Sequence, residues 1–168
     1  HYTKEKTFEQ ALEMCNGQAA CRKLTGGMCP SYIATRNEED STRGRANALK
    51  AFISSNKNLD DYTAHRTLEK LDLCLECKSC KTECPSNVDM TKLKYEFLQA
   101  YYKKNKIPLR NYLLGKLPTL NKVGSIFAPL SNWIIQSSLI KIFMDKYLGI
   151  TKNRSLPPFS NQTFTQWF

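Results

Sequence analysis

Apolar residues recur along this chain at helical spacing, and no stretch alternates as a strand would, so the pattern predicts an all-α protein. Phe8, Ala11, Leu12 and Cys15 predict a short helix over residues 1–14 that ends at the first cysteine. Gly17 and Gly26-Gly27 mark a loop. Ala46, Leu49, Ala51, Phe52 and Ile53 lie on or near one face of a helix expected over residues 42–54. Asn56 to Asp61 reads as a turn, and a helix over residues 66–74 leads Leu68, Leu71 and Leu73 into a second group of cysteines. Asp89 is a good N-cap for a helix from Met90 to about Lys104, with Leu93, Phe97, Leu98 and Tyr101 recurring along it.

The pattern changes at Ile107. Pro108, Pro118, Pro129 and Pro157-Pro158 punctuate a series of short apolar segments, because proline cannot continue a helix interior. Leu120, Val123, Phe127 and Leu130 suggest one apolar stripe; Trp133, Ile134, Ile140, Phe143, Tyr147 and Leu148 suggest another. Two domains are expected: a helical domain over residues 1–106, and over 107–168 a broken helical arm that packs on something else.

The chain has 168 residues, begins with His1 and shows no apolar leader, so it reads as a piece of a longer protein. No apolar run approaches the ~20 residues a membrane-spanning helix needs. The net charge is +10, but the basic residues are dispersed and no block of five like charges occurs. A solvated basic surface is expected, with no nucleic-acid partner.

Seven cysteines change the picture most. They fall in two tight groups, Cys15 to Cys29 and Cys74 to Cys84, whereas a disulfide scaffold spreads paired cysteines through a short secreted chain. The second group reads C-x2-C-x2-C-x3-C-P over Cys74, Cys77, Cys80, Cys84 and Pro85. That is the bacterial ferredoxin run, whose fourth cysteine ligates the other cluster in two-cluster proteins. Three cysteines two residues apart let a tight loop wrap one face of a cubane. Superposed on this template, Cys15 stands first, Cys21 third and Cys29-Pro30 as the Cys-Pro member, while Gln18 falls where the second cysteine belongs. The spacing predicts one [4Fe-4S] cluster on Cys74, Cys77, Cys80 and Cys29. Cys15, Cys21 and Cys84 would form a second site one thiolate short. It would hold a [3Fe-4S] cluster, a [4Fe-4S] cluster with a non-cysteine ligand, or an occasional one.

Zinc is the chief rival, but zinc ribbons separate their C-x2-C pairs by roughly 15–20 residues, and here the pairs overlap and a Cys-Pro follows. Inert structural thiols remain the alternative for Cys15 and Cys21. His65 reads as a surface or satisfied histidine, and Met14 and Met28 as core packing or redox tuning. Arg43 and Arg45, opening the helix after Ser41-Thr42, either bring positive charge to a cluster or serve as cap and surface charge.

Met28-Cys-Pro-Ser-Tyr32, Ser41-Thr-Arg-Gly-Arg-Ala46 and the Cys74–Cys84 group with Pro85-Ser-Asn-Val-Asp-Met90 together resemble the iron–sulfur part of bacterial FAD-linked oxidoreductases. These are fused relatives of glycolate oxidase, D-lactate dehydrogenase and D-2-hydroxyglutarate dehydrogenase. The resemblance continues through Lys92-Leu-Lys-Tyr-Glu-Phe-Leu98, Phe127-Ala-Pro-Leu130 and Leu156-Pro-Pro-Phe159. It implies an α-helical ferredoxin fold, an upstream FAD domain and a downstream cysteine-rich domain like those of heterodisulfide reductase.

The expected function follows from it. A flavin on a neighbouring domain oxidises a D-2-hydroxy acid (lactate, glycolate or 2-hydroxyglutarate type), and the clusters pass the electrons on to a quinone or a carrier protein. No residue of this chain performs acid–base or nucleophilic chemistry. The alternative is an iron–sulfur subunit of a succinate, fumarate or heterodisulfide reductase-like complex. A cytoplasmic location is expected. Docking on neighbouring domains is the first expectation for the arm, and peripheral contact with the inner membrane the second.

Overall fold

The computed structural model describes residues 6–55, 62–162 and 164–168, and all regular structure among them is helical. The chain divides into two units, residues 1–106 and 107–168.

In the first unit, Thr7 caps α1 (Phe8–Glu13) through its side-chain oxygen. Of the helix expected over residues 1–14, residues 1–5 lie outside the described residues; within the rest, the helix starts only after the Thr7 cap and ends at Glu13, before Cys15. A 3-10 turn at Ala20–Arg22 carries Cys21, and α2 (Pro30–Thr35) begins at the Cys-Pro step. Ser41 caps α3 (Thr42–Ser54), which has the bounds expected from its pattern. The turn expected at Asn56 to Asp61 lies outside the described residues. α4 spans Tyr62–Asp72, beginning earlier and ending earlier than expected. Leu71 is fully buried on it, whereas Leu73 lies beyond its end and is exposed. α5 (Ser79–Glu83) is one turn inside the second cysteine group, and α6 (Met90–Lys104) starts on Asp89, whose carboxylate accepts from the Lys92 N–H.

One core holds the unit together. Leu12 of α1, Ala46, Leu49 and Phe52 of α3, Ala64 and Leu71 of α4, and Leu93, Phe97 and Tyr101 of α6 pack in it with Met28 and Val88. Burying a leucine or phenylalanine fully contributes about 1.5–3 kcal/mol. Phe52 and Phe97 meet edge to face at 5.2 Å, which fixes α3 against α6. Met28 is therefore a core residue, whereas Met14 is 39% exposed and packs in no core. His65 is an exposed, satisfied histidine whose Nδ1 pairs with the Tyr101 hydroxyl at 3.1 Å.

Gly44 marks the closest approach in the unit. A Cβ there would fall 2.2 Å from the Glu38 carbonyl oxygen, so only glycine lets α3 lie on the 3-10 turn at Glu38–Asp40. The turn is tied further by Glu38, whose two carboxylate oxygens take Arg22 and Arg43 at 2.7 Å each.

The second unit contains α7 (Leu109–Gly115), α8 (Leu117–Ile126), α9 (Ala128–Gln136), α10 (Ser138–Leu148) and α11 (Phe164–Trp167). Pro118 and Pro129 sit in the first turns of α8 and α9, where a missing N–H costs nothing. Asn132 clamps Phe159 from both sides, donating to its carbonyl at 3.0 Å and accepting from its N–H at 2.7 Å. Phe159 then fills the space over Gly124. Among the described residues of α7 to α10, only Gly124 and Ala128 are buried. Leu120, Val123, Phe127 and Leu130, together with Trp133, Phe143 and Tyr147, are exposed.

Candidate metal centres

Two cavities in the first unit gather all seven cysteines, none of them in a disulfide. Site B is walled by Cys74, Cys77 and Cys80 from one loop and by Cys29 from the other, with Ser31, Thr42, Glu76 and Thr91 beside them. Site A is walled by Cys15 and Cys21 from the first loop and Cys84 from the second, with Asn16, Gln18, Thr42, Arg43 and Ser86. Each cavity thus takes its Cys-Pro cysteine from the opposite loop. Cys21, Cys29 and Cys80 are buried, Cys15, Cys74 and Cys84 half-buried, and Cys77 exposed.

Local backbone geometry shapes both walls. Ala19, Cys29, Glu76 and Lys78 all have φ between 53° and 61°, in the left-handed region that L side chains rarely adopt. Such residues turn successive N–H groups toward one concave side, an arrangement that receives an anion, and their strain is retained where function requires it.

The N-terminus of α3 stands between the sites. The Thr42 N–H lies 3.1 Å from the Cys29 sulfur, and the Thr42 hydroxyl 2.9 Å from it. The Arg43 N–H donates to the Cys21 sulfur at 3.4 Å. Free N–H groups and the positive end of a helix favour negative sulfur. A hydrogen bond from Cys29 holds the Cys21 thiol down at about 6 against the opposing effect of burial, with the Arg43 N–H and the Ser41 hydroxyl adding to the lowering. The same hydrogen bond, with burial, pushes the Cys29 thiol up, and burial pushes up Cys80.

Lysines hold the loops from outside. Lys50 donates to the Cys15 carbonyl at 3.1 Å, and Lys94 to the Cys74 carbonyl at 2.9 Å. Lys94 is 7% exposed and pairs with Glu76 at 3.0 Å. Burial pushes the Glu76 carboxyl up, but hydrogen bonds from Tyr95 and Lys94 outweigh it and leave the group below the usual carboxylate range. Arg45, at 2% exposure, is no surface charge: it donates to the Lys70 carbonyl and to Ser31 Oγ beside Cys29-Pro30. Arg43 spends its guanidinium on Glu38 and the Gly17 carbonyl. Thr42, Thr91, Lys50 and Lys94 were not singled out by the sequence. Lys94 gave the one available signal, a lysine one residue from Leu93 on the inner side of α6.

The donor chemistry suits iron–sulfur clusters. The walls supply thiols and N–H groups, with no histidine. Thr91 Oγ1 is a buried hydroxyl without a protein hydrogen-bond partner, and Thr91 lines site B. A buried unpaired hydroxyl is costly unless something in the cavity accepts from it, as a cluster sulfur would. Among the described residues, no three His, Cys, Asp or Glu side chains converge on one point as for a single metal ion. The thiols instead line the cavities, four at site B and three at site A.

All regular structure among the described residues is helical, and residues 14–89 match the 4Fe-4S dicluster domain family. The chain is 27% identical to D-2-hydroxyglutarate dehydrogenase of Pantoea ananatis over 96% of its own length and 19% of that protein's. It is 26% identical to the Pseudomonas putida enzyme of the same name, over 77% of the chain and 17% of the relative. Over 60 residues, 36% of the chain and 14% of the relative, it is 38% identical to the glycolate oxidase iron–sulfur subunit of Escherichia coli. These relatives are those the sequence resemblance suggested. The chain spans less than a fifth of the dehydrogenases it matches. No solved structure matches it.

Proposed function

We propose that this chain is the electron relay of an FAD-linked D-2-hydroxy-acid dehydrogenase, with a [4Fe-4S] cluster at site B on Cys74, Cys77, Cys80 and Cys29 and a second cluster at site A on Cys15, Cys21 and Cys84. The observation that carries the reading is the division of seven thiols into two cavities that exchange their Cys-Pro cysteines. Similarity to two D-2-hydroxyglutarate dehydrogenases over most of the chain supports the choice of parent enzyme. When bound, the clusters supply one-electron carriers between a two-electron flavin and its acceptor. The chain's own residues bind and orient: the Thr42 and Arg43 N–H groups at the start of α3 face the Cys29 and Cys21 sulfurs, and Lys50 and Lys94 hold the loop carbonyls. Residues 1–106 form the iron–sulfur domain. Residues 107–168 form an arm that docks on the FAD domain and the cysteine-rich domain of the same enzyme, in the cytoplasm, with a quinone or carrier protein as acceptor.

The test is anaerobic purification of the whole protein, iron and sulfide analysis, and addition of D-2-hydroxyglutarate, D-lactate or glycolate. One of the three should bleach the brown chromophore through the flavin. Bleaching by succinate, with none by the hydroxy acids, would move the chain to the succinate and fumarate reductase group; colourless zinc-containing protein would discard iron–sulfur chemistry altogether.

A further inference from the structure

Site A repeats site B position by position, with a single exception. Cys15 corresponds to Cys74: both are half-buried, and a lysine from a long helix holds each carbonyl, Lys50 at 3.1 Å and Lys94 at 2.9 Å. Two residues on, Gly17 and Glu76 both have positive φ, +80° and +57°. Two further on, Ala19 and Lys78 share φ 61°. Each is followed by a buried cysteine, Cys21 on a 3-10 turn and Cys80 on α5. Each site then receives a Cys-Pro-Ser from the opposite loop, Cys84-Pro85-Ser86 at site A and Cys29-Pro30-Ser31 at site B. Between the two left-handed residues, site B has the exposed Cys77 and site A the exposed Gln18.

We propose that Gln18 stands at the fourth corner of site A, so that a cluster there is held by three thiolates only and its remaining corner is open to a solvent oxygen donor. This rests on the reading that both sites hold clusters. The place is fixed by register: Gln18 lies between Gly17 and Ala19 as Cys77 lies between Glu76 and Lys78. Asn16 Oδ1 is engaged by the Gln18 N–H at 3.1 Å, closing the turn. No carboxylate or histidine lines the cavity. A neutral amide is a weak, hard ligand beside three soft thiolates, so the corner iron is the one that exchanges.

The whole protein, purified anaerobically and oxidised mildly with ferricyanide, should give the near-isotropic EPR signal of a three-iron cluster. Gln18→Cys should abolish that signal and raise the iron content by one per chain. Gln18→Ala should keep it, and Cys15→Ser should lose it. If Gln18→Cys does not accumulate, the wild type, Gln18→Ala and Cys15→Ser decide the matter. Wild-type protein that stays without the signal while Cys15→Ser loses a cluster's worth of iron overturns the open corner but leaves two clusters standing. Cys15→Ser that changes neither iron nor spectrum overturns site A itself, and with it this inference.

Discussion

Arg45 Nε lies 2.9 Å from the carbonyl oxygen of Lys70, joining α3 to the last turn of α4 through a charged side chain that is almost wholly buried. The same guanidinium reaches Ser31 beside Cys29-Pro30, so helix packing and the wall of site B share one residue. Replacing Arg45 with Met removes the charge but takes the donor from the Lys70 carbonyl, at about 1–3 kcal/mol, while the Ser31 hydroxyl keeps its bond to the Asp40 carbonyl. Arg45→Met should therefore lower the urea midpoint clearly and loosen iron at site B, while Arg36→Met, at an exposed position, should stay within about 0.5 kcal/mol of wild type.

Gly44→Ala should be nearly as damaging as a core substitution, although it adds one methyl. The Cβ would collide with the Glu38 carbonyl, backbone that cannot rotate away. Overpacking of this kind costs about 1–3 kcal/mol. Thermal unfolding of the variant should show it, and an unchanged melting temperature would mean that α3 does not lie on the Glu38–Asp40 turn.

Thr91→Val tests what the unpaired hydroxyl does. With a cluster in place, its hydrogen bond would stabilise the more negative, reduced state and raise the potential. The variant should keep its iron and its stability, and redox titration should find site B at a lower potential. A potential identical to wild type would leave Thr91 a packing residue only.

Loss of the clusters should unfold much of the first unit. Ligation would tie residue 29 to residues 74–80 and close a long loop, so binding energy is partly folding energy. Chelation or air oxidation should lower the melting temperature, and Cys77→Ser should lose the site B cluster and its share of the colour. Iron-free protein melting cooperatively at the original temperature would show that the core alone carries the fold.

The exposed Trp133, Ile134 and Phe143 of the second unit lie among Lys122, Lys141 and Lys146, a combination that suits either a protein partner or an anionic lipid surface. Docking on neighbouring domains predicts that the whole protein stays soluble without detergent and ignores anionic vesicles at physiological salt. Pelleting with vesicles, lost when Trp133 and Phe143 are made polar, would instead assign the arm to a membrane surface. No helix among the described residues is long and apolar enough to cross one.

Local signals carried the chain a long way. The bounds of α3 and α6 were legible because Ser41 and Asp89 cap them through their own side chains three residues ahead, an interaction confined to one turn. The cysteine spacing likewise showed which thiols can share a loop. The end of α4 was less legible: Leu73 continues the apolar pattern, yet it lies past the helix and exposed, because the chain turns at Asp72 to enter the second cysteine loop. Only the tertiary structure decided what the basic residues do. Arg45, Lys50 and Lys94 look like surface charge in a sequence, since their partners are backbone carbonyls of Lys70, Cys15 and Cys74, and a carbonyl has no letter of its own. The role of Thr42 on the Cys29 sulfur, and the match of Gly17 and Ala19 to Glu76 and Lys78, were hidden for a related reason. They are properties of backbone direction, which residues far apart in sequence acquire only when packed around the same space.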